Sequence, residues 1–157
     1  MTLKEKINAD YIAAFKAKDT IGKSALSGLK SKILEAEKAG PAGTELSDSD
    51  VLKIVISTVK QRKQSVEEFT KAGRMDLVEQ ETLELKPIES YLPKQMEDSE
   101  ITPVVIELIS EFDCSNLNIQ ALTGKVIGAF NKKFPGMTSP IRVKEIISEN
   151  IIEKITN

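Results

Sequence analysis

Leu3, Ile7, Tyr11 and Phe15 recur every fourth residue, so the start of the chain carries an apolar stripe of helical period. Thr2 and Glu5 have the spacing of a capping box, which predicts a first helix from Thr2 to about Lys18. Leu26, Leu29, Ile33 and Ala36 repeat the pattern after Asp19-Thr20, and Gly40-Pro41 should stop it: glycine suits a left-handed cap and proline cannot continue a helix. Gly40 to Glu45 reads as a loop. Ser47, with Asp50 three residues on, opens what should be the longest helix, through Val51, Ile54, Val55, Thr58, Val59, Val66 and Phe69, ended by Gly73. A fourth helix begins near Arg74-Met75-Asp76 and runs through Leu77, Val78, Leu83 and Ile88. Pro87 should kink it or end it early, because its ring opposes the carbonyl of Leu83.

Polar, acidic residues bounded by prolines fill the stretch from Pro93 to Pro103, the composition of a boundary between packing units. Three shorter helical patterns follow: Val104 to Phe112, Ile119 to Phe134, and Ile141 to Ile155. Ser139-Pro140 announces the last, a capping serine followed by proline at the first helical position, where its missing N–H costs nothing. No period-two alternation separates from these patterns. The expected fold is all-α, with an N-terminal helical bundle or hairpin domain over residues 1–95 and a small three-helix C-terminal domain over residues 96–157.

Length and composition agree with two small helical domains: 157 residues, 40% hydrophobic and 29% charged, describe a folded chain. One cysteine, Cys114, excludes an internal disulfide, and the absence of histidine leaves a metal only carboxylates and a lone thiol, so no metal site is expected. No stretch approaches the ~20 apolar residues of a membrane span and no apolar run follows the N-terminus, which sets a cytoplasmic location as the expectation. Catalytic machinery is not apparent. Without histidine there is no Ser-His or Cys-His pair, and Cys114 has no cationic neighbour in sequence before Lys125. Gly124 and Gly128 lack the preceding strand and the spacing of a phosphate-binding loop. No catalytic residue and no cofactor are assigned.

Charge is segregated along the chain. Asp76, Glu79, Glu81, Glu84, Glu89, Glu97, Asp98 and Glu100 crowd the fourth helix and the junction, with few bases beside them, and read as a solvated face and linker. Lys60, Arg62 and Lys63 form a basic cluster on the long helix, expected to be solvated and to pair within the helix, as Lys63 with Glu67. Arg74, just past Gly73 and followed by Asp76, should lock the turn between the third and fourth helices. From Ser115 to Lys144 there is no aspartate or glutamate, while Lys125, Lys132, Lys133, Arg142 and Lys144 all fall there. A net charge of −2 gives the whole molecule no strong field, so a polyanion would have to be met by this local segment. Two readings stand side by side: the cations contact RNA backbone, with Gly124, Lys125, Gly128, Lys132, Lys133, Arg142 and Lys144 as the candidate residues, or the lysines merely keep the surface solvated. Gly124 and Gly128 lie on one side of a helix, where they either expose a bare strip to another backbone or let a neighbouring helix pack closely. Phe130 and Phe134 are spaced as core residues, so sequence-specific reading of bases is not expected.

Lys60-Gln-Arg-Lys-Gln-Ser-Val-Glu-Glu-Phe69, Lys71-Ala-Gly-Arg74, Asp76-Leu-Val78, Tyr91-Leu-Pro-Lys-Gln95 and Gly124-Lys-Val-Ile-Gly-Ala129 occur in an order and spacing that resemble the GatB/YqeY kind of protein, specifically the YqeY-like family, over nearly the whole chain. That resemblance implies an N-terminal helical bundle joined to a three-helix C-terminal domain, both related to the tail of the GatB component of the glutamine-dependent aspartyl/glutamyl-tRNA amidotransferase. It further implies an association with a carbon–nitrogen ligase that uses glutamine as amide donor, in which the tail holds transfer RNA and the chemistry occurs elsewhere. Only the tail-like part is present here, so the chain is expected to be non-catalytic alone and to bind or deliver transfer RNA, with an aminoacyl-tRNA amidotransferase or synthetase as further partner. The competing expectation is a helical protein–protein adaptor with no RNA role. Where the family carries a Gly-Arg-Ala-Asp-Gly-like turn, this chain has Phe134-Pro-Gly-Met-Thr-Ser-Pro140. No RNA contact is therefore carried onto that loop; Lys132, Lys133 and Arg142 are read as substitutes, and Lys125 is carried over directly.

Overall fold

The computed structural model describes the backbone of residues 1–112 and 118–156 and the side chains of residues 1–112 and 118–151; Cys114 lies outside the described residues. Among the described residues there are seven α-helices and no strand: α1 Leu3–Lys16, α2 Thr20–Ala39, α3 Asp48–Lys71, α4 Met75–Glu89, α5 Asp98–Glu111, α6 Ile119–Lys133 and α7 Pro140–Thr156. They gather into two compact units, Met1–Leu92 and the chain from Pro93 onward.

In the first unit each helix starts on a side chain that accepts an otherwise orphaned N–H, or follows a tight turn. Thr2 and Glu5 form the reciprocal capping box of α1, Asp19 accepts from Gly22 N at 3.0 Å, and Ser47 accepts from Asp50 N at 3.2 Å. Gly73, at φ +71°, makes the left-handed step between α3 and α4 that a side chain would strain. The fourth-residue stripes meet inside: Ile7 of α1, Ala25, Leu26, Leu29 and Ile33 of α2, Val51, Val55 and Val59 of α3, and Leu85, Ile88 and Tyr91 at the end of α4 form one core. Each fully buried aliphatic side chain there contributes about 1.5–3 kcal/mol by leaving water.

Two local expectations change. Gly40 caps α2 in extended conformation, φ −86° and ψ −179°, not left-handed. The cause is Pro41, whose ring bars the helical region to the residue before it; the left-handed position in that loop is Gly43, at φ +82°. Pro87 does not end α4 at once: the helix passes through it to Glu89, and the Ser90 hydroxyl donates to the Pro87 carbonyl at 2.6 Å.

Tyr91 ties the end of α4 to α1, its hydroxyl donating to Asp10 Oδ2 at 2.6 Å. Burial first, then the hydrogen bond and charge of Asp10, push the phenol well above its ordinary value of 10.0. The neutral phenol is thus favoured in the folded state, so its contribution is fully present below about pH 10 and lost as pH rises through the raised folded value. Tyr91→Phe is expected to cost about 1 kcal/mol at neutral pH. It should also flatten the alkaline decline in stability; urea midpoints measured between about pH 8 and about pH 11 check both.

The second unit is a three-helix bundle. Ile101, Val105, Leu108 and Ile109 of α5, Leu122, Val126 and Phe130 of α6, and Val143, Ile146 and Ile147 of α7 form its core. Helix α5 starts at Asp98, well ahead of the expected Val104, and so contains Pro103. Glu97 and Glu100 bond reciprocally to each other's backbone N–H and fix the start. The hydrogen bond Pro103 cannot make would have reached the carbonyl of Ser99, an exposed residue that water can satisfy. Before α5, Met96 N donates to Met137 O at 2.7 Å and Gln95 Nε2 to Gly136 O at 2.7 Å, which straps the entry segment to the α6–α7 loop.

Candidate nucleic-acid interface

Helix α6 divides cleanly. Its buried face is Leu122, Thr123, Val126 and Phe130, while Ala121, Gly124, Lys125, Gly128 and Lys132 are exposed. At about 100° per residue the last five fall on one side of the helix, opposite the core. Asn118 starts the helix by accepting from Ala121 N at 2.7 Å, which fixes where this face begins. Nothing in the described structure lies within 4 Å of a Cβ built on Gly124 or on Gly128. No described helix packs closely on these glycines, so among the described residues their backbone stands open. Ala121 continues the strip, the three small residues falling at i, i+3 and i+7.

Lys125 and Lys132 stand on that face about 10 Å apart along the axis, two turns of helix. Lys133 lies about 100° round from Lys132 and is exposed as well. Lys144, on α7, is exposed. None of these four lysines forms an ion pair with a described residue, whereas the fifth cation of the candidate set is fully engaged.

That cation is Arg142. Its guanidinium makes a bidentate pair with Asp98 at the start of α5 and also reaches Glu145 at 2.7 Å and Glu149 at 3.8 Å. The Asp98 hydrogen bond, followed by that of Glu145, raises the arginine far above its usual range, and the same pair lowers the Asp98 carboxyl. With its charge neutralised by three carboxylates, Arg142 serves as a clamp between α5 and α7 and is set apart from the exposed lysines. Sequence spacing hid this because Asp98 is distant in the chain, beyond the acid-free segment.

Phe130 is fully buried and its ring lies 5.3 Å from that of Phe134, which is half-buried. The face therefore offers backbone, small side chains and ammonium groups, with neither phenylalanine free to stack on a base.

The charge clusters of the first unit also resolve. Arg62 Nη1 donates to Glu81 Oε2 at 3.1 Å and Glu84 Oε2 at 2.9 Å, and Lys63 pairs with Glu89 at 3.0 Å instead of with Glu67. Basic α3 and acidic α4 thus compensate each other across the hairpin, and neither is the simple solvated face that its own sequence implied. Glu84 is only 8% exposed and is also approached by Ser24 Oγ at 3.4 Å and Gln80 Nε2 at 3.3 Å. Arg74 grips Asp76 through Nε at 3.2 Å and Nη2 at 3.1 Å, as expected of a turn lock. Among the described residues no group of three or more potential ligands is placed to hold a metal, and no helix is long and apolar enough to cross a membrane.

A family model described as Yqey-like protein matches residues 4–151. Among curated proteins, the chain is 32% identical over 120 residues to "Altered inheritance of mitochondria protein 41, mitochondrial" of Lachancea thermotolerans, a match covering 75% of this chain and 62% of that protein. It is 30% identical over 148 residues to the protein of the same name from Kluyveromyces lactis, covering 90% of this chain and 78% of the relative. A 73-residue match to an uncharacterized protein of Schizosaccharomyces pombe is 36% identical and covers 46% of this chain and 59% of the relative. The chain thus spans about three fifths of the length of the Lachancea and Schizosaccharomyces relatives.

Proposed function

The chain belongs to the YqeY-like family, and from that premise and the open α6 face we propose that it is a non-catalytic RNA-binding module that holds or delivers transfer RNA through phosphate contacts. The observation that supports this reading is the combination on one face of two glycines with no described residue above them and of lysines with no described counter-ion. A phosphodiester backbone fits such a face. It needs cations and close approach, and it needs no aromatic ring. Lys125 and Lys132 supply charge along the strip, Lys133 stands next to it round the helix, Lys144 adds an exposed cation on α7, and Gly124 and Gly128 admit the ribose-phosphate chain against the helix. Arg142 has a structural part, holding α7 to α5.

The reading as a protein adaptor through the acidic α4 is disfavoured, because Arg62 and Lys63 already neutralise Glu81, Glu84 and Glu89. An association with an aminoacyl-tRNA amidotransferase or synthetase fits the module as a partner that would supply the chemistry.

Replacing both glycines by alanine separates the functional from the structural account. A helical glycine with open space above it is stabilised by up to about 1 kcal/mol on becoming alanine. Gly124→Ala with Gly128→Ala is therefore expected to raise the thermal midpoint of the second unit and, at the same time, to weaken transfer RNA binding several-fold. Unchanged RNA affinity in the more stable variant would remove the glycines from the proposed contact.

A further inference from the structure

A second surface, in the first unit, combines cations with aromatic rings. Helices α1 and α2 run antiparallel, and three contacts set their outer register: Lys4 Nζ to Glu37 Oε1 at 2.6 Å, Lys30 Nζ over the Tyr11 ring at 4.1 Å, and Lys23 Nζ over the Phe15 ring at 4.8 Å. Tyr11 and Phe15 are one helical turn apart on α1, and Lys30 and Lys23 two turns apart on α2, so the two cation–aromatic pairs follow one another along the hairpin. Phe15 is 58% exposed, an unusual setting for a phenylalanine that the core does not use. Between the helices beside Tyr11 lies a groove of about 340 Å³ whose lining includes Asn8, Ser27, Lys30 and Ser31. Its one carboxylate, Glu37, is neutralised by Lys4, whose hydrogen bond lowers its pKa.

We infer that the outer side of the α1–α2 hairpin, made of the groove beside Tyr11 and the Phe15–Lys23 pair next to it along α1, is a binding site for unpaired nucleotides of a single-stranded nucleic acid, the bases stacking on Phe15 and Tyr11 and the phosphates taken by Lys23 and Lys30. Ring faces and cations interleaved along the hairpin match the alternation of base and phosphate along an unpaired strand. The hydroxyls of Ser27 and Ser31 and the amide of Asn8 offer hydrogen bonds to base edges or sugar. On arrival of the strand each ammonium exchanges its ring for a phosphate and each ring exchanges its ammonium for a base, so both groups keep a partner. The site is independent of the α6 face, and it supplies the stacking that Phe130 and Phe134 cannot.

Tyr11 reports on it directly. The chain has two tyrosines and no tryptophan, so in a Tyr91→Phe background Tyr11 is the sole tyrosine emitter. With Lys125, Lys132 and Lys133 also replaced by alanine, to exclude the α6 lysines, the full chain is titrated with oligoadenylate about ten nucleotides long, and separately with inorganic polyphosphate. Saturable quenching by the oligonucleotide and none by polyphosphate is expected, because stacking requires a base. Phe15→Ala, at an exposed position that leaves the core intact, should weaken the quenching titration by roughly five- to a hundredfold. Lys23→Gln with Lys30→Gln should weaken it and flatten its salt dependence. Absence of saturable quenching at low salt, equal quenching by polyphosphate, or an affinity indifferent to Phe15→Ala would overturn the proposal.

Discussion

Phe130→Ala is expected to unfold the second unit while leaving the first folded. Phe130 is 0% exposed within the three-helix core, in a cluster drawn from α5, α6 and α7. Truncating a buried phenylalanine to alanine costs about 3–5 kcal/mol, from lost transfer energy and the cavity that remains. A single small core of this size rarely supplies more than about 3–5 kcal/mol in total, so the loss equals or exceeds what holds the bundle together. Residue-resolved amide exchange checks the prediction. Protection should vanish from α5, α6 and α7 and persist in α2 and α3, where a separate core built on Leu29 and Val55 is untouched. Uniform loss of protection throughout the chain would mean that the two units fold as one cooperative structure.

The next largest effect belongs to Arg62. Its side chain, 18% exposed, bridges Glu81 and Glu84 of α4 through the guanidinium, and Glu84 carries its carboxylate into a nearly buried position. Arg62→Ala leaves that carboxylate without its cation, with only Ser24 and Gln80 nearby. Removing one partner of a buried pair costs about 3–5 kcal/mol; the residual exposure of Arg62 places this case nearer about 2–3 kcal/mol. The double replacement Arg62→Leu with Glu84→Leu should recover most of the loss, since the pair's net contribution is small once neither charge has to be buried. Urea denaturation of the single and double variants measures this, and a double variant as unstable as Arg62→Ala would show that the network positions α2, α3 and α4 in a way that apolar side chains cannot replace.

What could be read from the sequence follows from how local each determinant is. Stripes such as Leu26, Leu29 and Ile33, and caps such as Thr2 with Glu5, Ser47 and Ser139-Pro140, act within one or two turns, and the helices they foretell are present. Gly73 and the Arg74–Asp76 lock are legible for the same reason. Pro103 misleads because proline marks a helix boundary only where its missing bond matters, and the Glu97–Glu100 capping pair outweighs it. Arg62 and Lys63 mislead because their partners lie on the facing helix, at a register that spacing along α3 alone does not determine. The same limit conceals the Lys30–Tyr11 and Lys23–Phe15 pairs, whose aromatic members read along the chain simply as an apolar stripe. For the α6 face, composition reveals the lysines and the four-residue spacing reveals the glycines. Whether that strip is covered depends on how α5 and α7 pack, which only the folded bundle decides.

Binding of total transfer RNA as a function of salt, with the full chain and with its Lys125→Ala, Lys132→Ala, Lys133→Ala variant, tests the central claim most directly. Each lysine that neutralises a phosphate contributes about 0.7–0.9 to the magnitude of the slope of log affinity against log salt. Four contacting lysines therefore give a slope near about −3, and the triple variant should reduce its magnitude by about 2 while leaving the helical content unchanged. A slope that stays the same in the variant, or no binding to the full chain even at low salt, would contradict the assignment of the α6 face to RNA.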